Sequence, residues 1–449
     1  MKAKAQLVVI CVLQNVLWRI IMFNNKISFI SLIIGFIFLS STAQAVVDPE
    51  VSYILNTLLF LIGGFLVMWM AAGFAMLESG LVTSKSVSCI AVKNIGLYSI
   101  AGLMFWLVGY NLAYGIPEGG FIGTILPWSD RSSLETGYSD GSDWFFQMVF
   151  CATVCSIVSG TLAERIKIWP FFLFCAVLTG LIYPIEMGWL WGGGHLAVLG
   201  FSDFAGSTLV HSAGAAAALA GAIILGPRLG RFTETGEPTP MEPFASSSIP
   251  LATLGVFILW MGWFGFNGGS QLAAGTFEDV GSVATIFINT NLAACAGVMA
   301  CAVITRLVTG KTDVVMMLNG ALGGLVAITA EPLAPSPILA ISIGAIGGTI
   351  VFYGTTLLFK LKIDDVVGAI PVHGLAGIFG TLAVPLSNSD ASFVIQVYGI
   401  LWVNIFVFVV AIILWYLMKI TFGIRISENA EKLGTDKSEV GVIAYSIRD

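Results

Sequence analysis

Charged residues are scarce in this sequence of 449 residues. Lys, Arg, Asp and Glu together make up 10% of it, whereas soluble domains carry about 25%. Hydrophobic residues make up 57%, and the mean hydropathy is +0.93. So few charges cannot cover the surface of a soluble fold of this length, and lipid must surround most of the chain. The composition therefore excludes a soluble fold and indicates a polytopic membrane protein.

Residues that bind metals or catalyse reactions are also scarce. Histidine occurs three times, and the seven cysteines lie almost all inside apolar runs, with neither the Cys/His spacing of a metal site nor pairs in loops. The sequence contains no ATP-binding loop and no kinase motif. These absences argue against an ATP-driven pump, a fused sensor domain and an enzyme. We expect neither a metal nor a cofactor.

Long apolar runs are what the sequence has in abundance. Eleven segments of about 20 residues, the length that a ~30 Å hydrocarbon core requires, follow residue 45. The 51 glycines would let such helices pack closely. The predicted fold is an all-α bundle of eleven transmembrane helices. The predicted spans are Ile54–Leu77, Ser88–Leu112, Trp144–Leu162, Trp169–Gly188, Phe204–Leu225, Ile249–Phe266, Val283–Ile304, Val314–Ala330, Ile338–Phe359, Val366–Leu386 and Val394–Ile420.

The first 45 residues have the features of a cleaved leader. Lys26 precedes an apolar run, and the small residues before Ala45 suit cleavage after that residue. We therefore expect a signal peptide that starts at Met22 and ends at Ala45, with residues 1–21 as an upstream extension. A second apolar run before Met22 leaves an uncleaved anchor open as the alternative.

The distribution of basic residues predicts the orientation. Because eleven is odd, the two termini lie on opposite sides, and a cleaved signal peptide places the mature amino terminus outside. Fifteen of the sixteen Lys and Arg residues after residue 45 then fall on the inner side, and only Arg131 falls outside. We expect a multi-pass protein of the plasma (inner) membrane, with a membrane domain at 46–420. The polar tail at 421–449 is cytoplasmic and is the candidate for docking or regulation.

Two of the three histidines lie at matching depths in the predicted spans. His211 and His373 are each the eighth residue of their span, the fifth and the tenth. These spans are five apart and run in opposite directions, as in an inverted repeat of five plus five helices with one extra helix at the end. Ionisable residues at such depth mark transport pathways in membrane proteins. The pattern predicts a histidine pair in a pore, and the alternative is two separate packing residues.

A second group of residues falls at the outer ends of the spans. Aromatic rings attract cations, a carboxylate adds negative charge and hydroxyls replace lost water, so the group suits a small cation. The alternative is an ordinary belt of interfacial aromatic residues. The group consists of Phe150, Trp191, Asp203, Phe266, Ser270 and Thr329.

Six motifs contain or adjoin these residues. They are FFQ from Phe145 to Gln147, GTLAERI ending at Ile166, WGGG beginning at Trp191, DFAGSTLVH from Asp203 to His211, WFGFNGGS from Trp263 to Ser270, and PVHGLAG from Pro371 to Gly377. Their amino-acid sequences and their spacing resemble those of the ammonium transporter family (Amt/Mep/Rh), and specifically its Amt branch. The resemblance covers nearly the whole chain after the leader.

The resemblance implies roles for the outer residues. Trp191 and Ser270 would recruit ammonium, and Phe150 would form the second aromatic wall of that site. Phe150 and Phe266 would be the paired rings that close the pore below it. Thr329 would occupy the place of a threonine at the pore mouth.

The resemblance also implies roles for the inner residues. His211 and His373 would form the twin-histidine pair in the pore, where one neutral imidazole donates a hydrogen bond and the other accepts it. Asp203 matches the acid of the family motif. It could cap the fifth helix or take part directly in deprotonation, and both readings stay open at this point.

The sequence thus predicts a transporter of ammonium and methylammonium in a lipid membrane. The resemblance further implies a homotrimer and a PII-type signalling protein as a partner at the cytoplasmic face. One alternative is an ammonium sensor that signals through the tail. Another is a Rh-like channel for a neutral gas, which would not need the cation site of Trp191, Phe150 and Ser270.

Four residues lie outside the expected pattern. We expect Glu78, at the inner end of the first span, to be an interfacial carboxylate, and His195 to be solvated on the outer face. Gly368 stands five residues before His373, where many relatives carry Asp. Val440 stands in the tail where a His is common, which puts the docking geometry of the tail in doubt.

Overall fold

The structure is a computed structural model that describes residues 48–239 and 244–445. The expected signal peptide, with its start at Met22 and cleavage after Ala45, lies outside these residues. We name the two ends of the helix bundle outer and inner, following the predicted orientation.

The part of the chain that the structure describes is mainly helical and contains no β-strand. Nine helices in this part are long and apolar enough to cross a membrane, and two shorter apolar helices lie where spans eight and ten are predicted. The all-α polytopic fold is confirmed, and the number of eleven crossings stays a prediction. The helices are α1 (Pro49–Leu81), α2 (Val87–Tyr114), α3 (Asp140–Thr161), α4 (Ile168–Gly188), α5 (Ser207–Leu225), α6 (Ile249–Gly269), α7 (Phe277–Thr309), α8 (Val314–Ile328), α9 (Pro337–Lys360), α10 (Ile370–Leu386), α11 (Phe393–Thr421) and α12 (Glu428–Leu433).

The bundle is covered by apolar side chains and has its most buried helices at the centre. Large apolar side chains such as Trp169, Phe277 and Ile338 are almost fully exposed, which suits a surface that faces lipid. Most residues of α3 and α5 are buried, whereas most residues of α7 and α11 are not. Helices α3 and α5 therefore lie at the centre of the bundle, surrounded by the other helices.

Helices α1 and α6 begin the two predicted repeats and cross in backbone contact. A Cβ atom added to Gly255 of α6 would lie 2.3 Å from the backbone nitrogen of Leu77 and 2.7 Å from the carbonyl oxygen of Gly73. A Cβ atom added to Gly73 would lie 2.9 Å from the backbone nitrogen of Leu259. Because real Cβ atoms essentially never come within 3.0 Å of such atoms, only glycine permits this crossing.

Helices α5 and α10 begin in the same irregular way. Each opens with a π-helical turn, Ser207–Ser212 in α5 and Ile370–Leu375 in α10, and each turn contains one of the two paired histidines. An aspartate, Asp203 or Asp365, stands eight residues before each histidine and accepts N–H groups at the start of its helix. These matched features support the predicted inverted repeat.

A buried ion cluster ties the inner loops together. Arg228 donates through Nε to Asp364 at 2.8 Å and also contacts Glu164. Arg165 donates through Nη2 to the carbonyl oxygen of Asp364 at 2.6 Å. Burial alone would raise the pKa of Asp364, but Arg165 and Arg228 outweigh it and hold this pKa well below its ordinary value. The cluster joins the segment after α3 to the loops before α6 and α10.

The polar tail after α11 folds back against the inner ends of α2 and α4. Asp436 accepts the backbone N–H of Cys89 at 2.9 Å, and Glu439 accepts the backbone N–H of Ile168 at 3.0 Å. These carboxylates bind the first turns of two membrane helices, where they also suit the helix dipole. As far as residue 445, the tail is therefore docked on its own chain.

Candidate substrate pathway

A cavity of about 270 Å³ opens at the outer side of the bundle. Phe150, Trp191 and Ser270, the three residues predicted for cation recruitment, line it together. The Phe150 ring meets the Trp191 ring edge to face, with centroids 6.0 Å apart. The Ser270 hydroxyl donates to the carbonyl oxygen of Phe266 at 2.8 Å, so its oxygen remains available to accept a hydrogen bond.

The carboxylate of this outer cavity is Asp143, which the sequence analysis missed. Its Oδ2 accepts the Tyr110 hydroxyl at 2.6 Å, and its Oδ1 accepts the Gln147 amide at 3.1 Å. Asp143, Gln147 and Phe150 are spaced four and three residues apart, which places them on one face of α3. That spacing is the signal by which the sequence could have revealed the acid. The other lining residues are Phe60, Tyr110, Tyr114, Tyr138, Phe146, Phe204 and Leu272.

Asp203 does not supply the charge expected at the outer face. Its carboxylate is buried and accepts four backbone N–H groups at 2.8–3.1 Å, two on each oxygen. It is therefore a cap of α5, one of the two readings left open above. Its carbonyl oxygen accepts the indole N–H of Trp191 at 3.1 Å, so the same residue also positions that ring. The four donors belong to Gly206, Ser207, Thr208 and Leu209.

Two stacked phenyl rings close the floor of the outer cavity. The centroids of Phe150 and Phe266 are 4.0 Å apart with an interplanar angle of 27°, and both side chains are buried. The next ring inward is the imidazole of His211, whose centroid lies 5.3 Å from that of Phe266. The two phenyl rings therefore lie between the outer cavity and His211.

The structure brings His211 and His373 together. Their Nδ1 atoms are 3.2 Å apart, and their rings stack with an interplanar angle of 24°. Because each neutral imidazole has one donor and one acceptor nitrogen, one Nδ1 must donate and the other accept. Both rings are buried, and Nε2 of His211 has no hydrogen-bond partner among the residues that the structure describes.

Thr329 was expected at the pore mouth, but this expectation was wrong. Its side chain is fully buried behind the histidine pair. Its Oγ1 accepts the indole N–H of Trp263 at 2.8 Å and donates to the carbonyl oxygen of Leu325 at 2.7 Å. The Trp263 ring stacks on His211 with centroids 5.1 Å apart. Thr329 therefore orients the indole that supports the imidazole, and it does not contact the outer cavity.

His195 is also buried, contrary to the expectation that it is solvated. It is 8% exposed. Its ring stacks on Phe121 with centroids 4.3 Å apart and lies edge to face with Trp189 and Trp402. His195 is therefore a packing residue of an aromatic cluster at the outer side.

A narrow cavity with room for about one water molecule continues inward from His373. Phe74 of α1 lines it, and the Phe74 ring lies 6.2 Å from the His373 ring, centroid to centroid. Glu78 lines it as well and is 1% exposed, so the expectation of an interfacial carboxylate was wrong. The histidine pair thus lies between an outer and an inner cavity.

Gly368 lines the inner cavity in a left-handed conformation that strains any residue with a Cβ atom. Its φ is +80°, and an added Cβ atom would lie 2.6 Å from the amide nitrogen of Asn319. The acid that stabilises the start of α10 is instead Asp365, which accepts the backbone N–H of Ile370 at 2.7 Å. The eight-residue interval before the histidine, shared with Asp203, would have indicated it.

The chain is similar to known proteins along most of its length. The model of the Ammonium Transporter Family matches residues 58–445. Ammonium transporter Amt2 of Archaeoglobus fulgidus is 41% identical over 416 residues, which cover 86% of this chain and 87% of the relative. Ammonium transporter Amt1 of Haloferax mediterranei is 35% identical, with 89% and 81% covered.

A solved structure titled Sensor Amt Protein superposes with a TM-score of 0.82 at 32% identity, covering 88% of this chain and all of that one. The predicted resemblance is therefore confirmed by sequence and by structure. The chain belongs to the ammonium transporter family, in its Amt branch.

Proposed function

We propose that this chain moves ammonium and methylammonium across the plasma (inner) membrane through the two cavities and the histidine pair. The observation that carries the proposal is the 3.2 Å contact between Nδ1 of His211 and Nδ1 of His373, buried between the outer and the inner cavity. The mature amino terminus then lies outside and the tail in the cytoplasm, as the distribution of basic residues favours.

The energetic problem is the transfer of a cation through a buried passage. Moving a small cation from water into a medium of low dielectric constant costs on the order of 20 kcal/mol. The outer cavity offers aromatic faces and the Asp143 carboxylate to hold the ion. Deprotonation there would leave neutral ammonia to pass the rings of Phe150 and Phe266. The two imidazoles, whose ring nitrogens are a donor and an acceptor, would conduct the proton.

Charge displacement in proteoliposomes after an ammonium jump tests this function. A transporter of this kind is expected to give a sustained current, because each substrate carries a net charge across the membrane. Absence of a sustained current in correctly inserted protein would contradict the proposal. It would leave a neutral gas channel of the Rh type if uptake persisted, or a sensor if uptake was absent as well.

Removal of the indole at the outer cavity should weaken substrate binding. In Trp191→Leu we expect the apparent affinity for ammonium and methylammonium to fall roughly twofold to thirtyfold, because a cation–π contact contributes about 0.5–2 kcal/mol. Ser270→Ala should have a smaller effect. Concentration-dependent uptake is the measurement, with Trp169→Leu, whose ring is exposed on the surface, as the control. An unchanged affinity in Trp191→Leu would show that Trp191 does not recruit the substrate.

A sensor is the second candidate function. It is favoured by the similarity to the structure titled Sensor Amt Protein and by the docking of the tail onto α2 and α4. Both functions use the same outer cavity. They differ in the current, since a pure sensor would bind ammonium without sustained charge transfer.

The tail and the basic inner loops are the proposed regulatory surface. We propose a homotrimer whose cytoplasmic face binds a PII-type signalling protein, as the family resemblance implies. Within this chain, Glu431 of α12 accepts the backbone N–H of Leu229 at 2.7 Å and pairs with Arg425 at 2.7 Å. A change in the tail can therefore reach the loop before α6, which also contributes Arg228 to the buried ion cluster.

Truncation after Ile426 tests this regulation. It removes Glu431, Asp436 and Glu439 with their contacts, so we expect loss of the nitrogen-dependent shut-off, or loss of transport where the inner loops depend on the tail. Methylammonium uptake by cells before and after ammonium addition is the measurement. Truncation after Tyr445 keeps these contacts and is the control. Intact transport together with an intact shut-off would exclude the tail from the mechanism.

A further inference from the structure

The inner cavity contains a carboxylate that the pathway described above does not use. Glu78 stands near the end of α1, and its side chain is almost completely buried. It lines the same cavity as His373. An ionisable side chain in this position is expensive to bury and calls for a partner or a function.

One oxygen of Glu78 is held in place and the other is free. Oε2 accepts the Ser159 hydroxyl at 2.7 Å and the Asn94 amide at 3.3 Å. Oε1 has no hydrogen-bond partner in the part of the chain that the structure describes. The carboxylate is thus oriented by α2 and α3 and keeps one acceptor atom available.

The balancing charge is Lys93 of α2. Its Nζ donates to the carbonyl oxygen of Ser159 at 2.6 Å and lies 4.8 Å from the centroid of the Phe171 ring. Ser159 therefore joins the two charged side chains, because its hydroxyl binds Glu78 and its carbonyl binds Lys93. Lys93 is buried, and its Nζ is held near Glu78 through this shared residue.

We propose that Glu78 is the inner proton acceptor of the pathway and re-forms ammonium in the inner cavity. This inference rests on the proposed function. Ammonium in the outer cavity yields ammonia and a proton, and the proton passes through His211 and His373 to Oε1 of Glu78. Ammonia that reaches the inner cavity takes this proton, leaving the carboxylate ionised. One ammonium ion enters, one leaves, and Glu78 returns to its starting state.

The competing explanation is that Glu78 only balances the charge of Lys93. Glu78→Gln keeps the size of the side chain and an acceptor for Ser159 but cannot carry the proton. We expect its ammonium-driven current to fall at least about a hundredfold, the lower end of what a positioned proton-transfer group contributes. The double variant Glu78→Gln/Lys93→Gln removes both charges together, so no buried charge is left unbalanced. We expect its current to stay equally low.

Glu331→Gln is the matched control, because it makes the same substitution in a carboxylate bound by the backbone N–H of Ala334 and by Asn388. We expect it to keep the wild-type current. All variants are compared in proteoliposomes after size-exclusion chromatography in detergent. If Glu78→Gln does not fold, the current of the double variant alone tests the role of Glu78.

Wild-type current in folded Glu78→Gln would overturn the inference, and so would recovery of the current in the double variant, which would assign Glu78 to charge balance. The proposed function fails separately, because it predicts that replacing either histidine abolishes the current. Lost current in the histidine variants with full current in Glu78→Gln would overturn only the role of Glu78.

Discussion

Replacing either His211 or His373 with alanine should abolish the selective, proton-coupled ammonium current. The two Nδ1 atoms lie 3.2 Å apart, within hydrogen-bond distance, and a single imidazole offers no continuous chain of donor and acceptor through the buried segment. We expect the current of each variant to fall to that of empty liposomes. The measurement is charge displacement after an ammonium jump, with size-exclusion chromatography to show that each variant is folded.

Selectivity is the sharper measurement for the same pair. Potassium cannot lose a proton, so a path that requires deprotonation excludes it. Replacing both histidines with polar or acidic residues could still permit conduction through a wetter passage, but should lose the discrimination against potassium. Full ammonium current with undiminished selectivity in both alanine variants would return His211 and His373 to the role of packing residues.

Asp203→Ala should cause the largest loss of stability among the predicted site residues. Four buried N–H groups would lose their acceptor. Since an unsatisfied buried polar group costs about 1–3 kcal/mol, we expect the four groups together to cost at least about 4 kcal/mol. Thermal unfolding in detergent is the measurement. Asp365→Ala should lose less, because the bonds to Asp365 come from the Ile370 N–H and the Thr161 hydroxyl.

Asp203→Asn separates capping from direct participation in deprotonation. The amide keeps one oxygen as an acceptor, so its stability should lie between those of the wild type and the alanine variant. If Asp203 acts as a cap, the current should decline only in proportion to the amount of folded protein. A fully folded asparagine variant without current would instead show that the carboxylate takes part in the chemistry.

Sequence patterns predicted the helices well and their ends less well. The predicted span Val283–Ile304 lies within α7, which extends from Phe277 to Thr309. An apolar run marks only the part of a helix that lies in lipid. The start of α7 depends on the capping box of Thr276 and Asp279. Because these residues are polar, a search for apolar runs does not find this end of the helix.

The histidine pair could be predicted, but the surroundings of the other acids could not. His211 and His373 are each the eighth residue of their span, and the two spans run in opposite directions. Counted from opposite faces, both positions therefore fall near the middle of the membrane, where the two side chains can meet. For Asp203 and Glu78, depth does not show whether the side chain faces a cavity, a helix end or the surface. One is a helix cap and the other lines the inner cavity. The same ambiguity misplaced Thr329, whose partner Trp263 lies 66 residues away.

The crossing of α1 and α6 limits how the protein can move. Transporters built from inverted repeats commonly work by rocking one repeat against the other. Here the backbones of Gly73, Leu77 and Gly255 already touch where the first helices of the two repeats cross, so neither helix has free space to slide into at this point. We expect this crossing to stay fixed during transport. We therefore expect opening and closing to depend on individual aromatic rings such as Phe150 and Phe266, which lie between the outer cavity and His211.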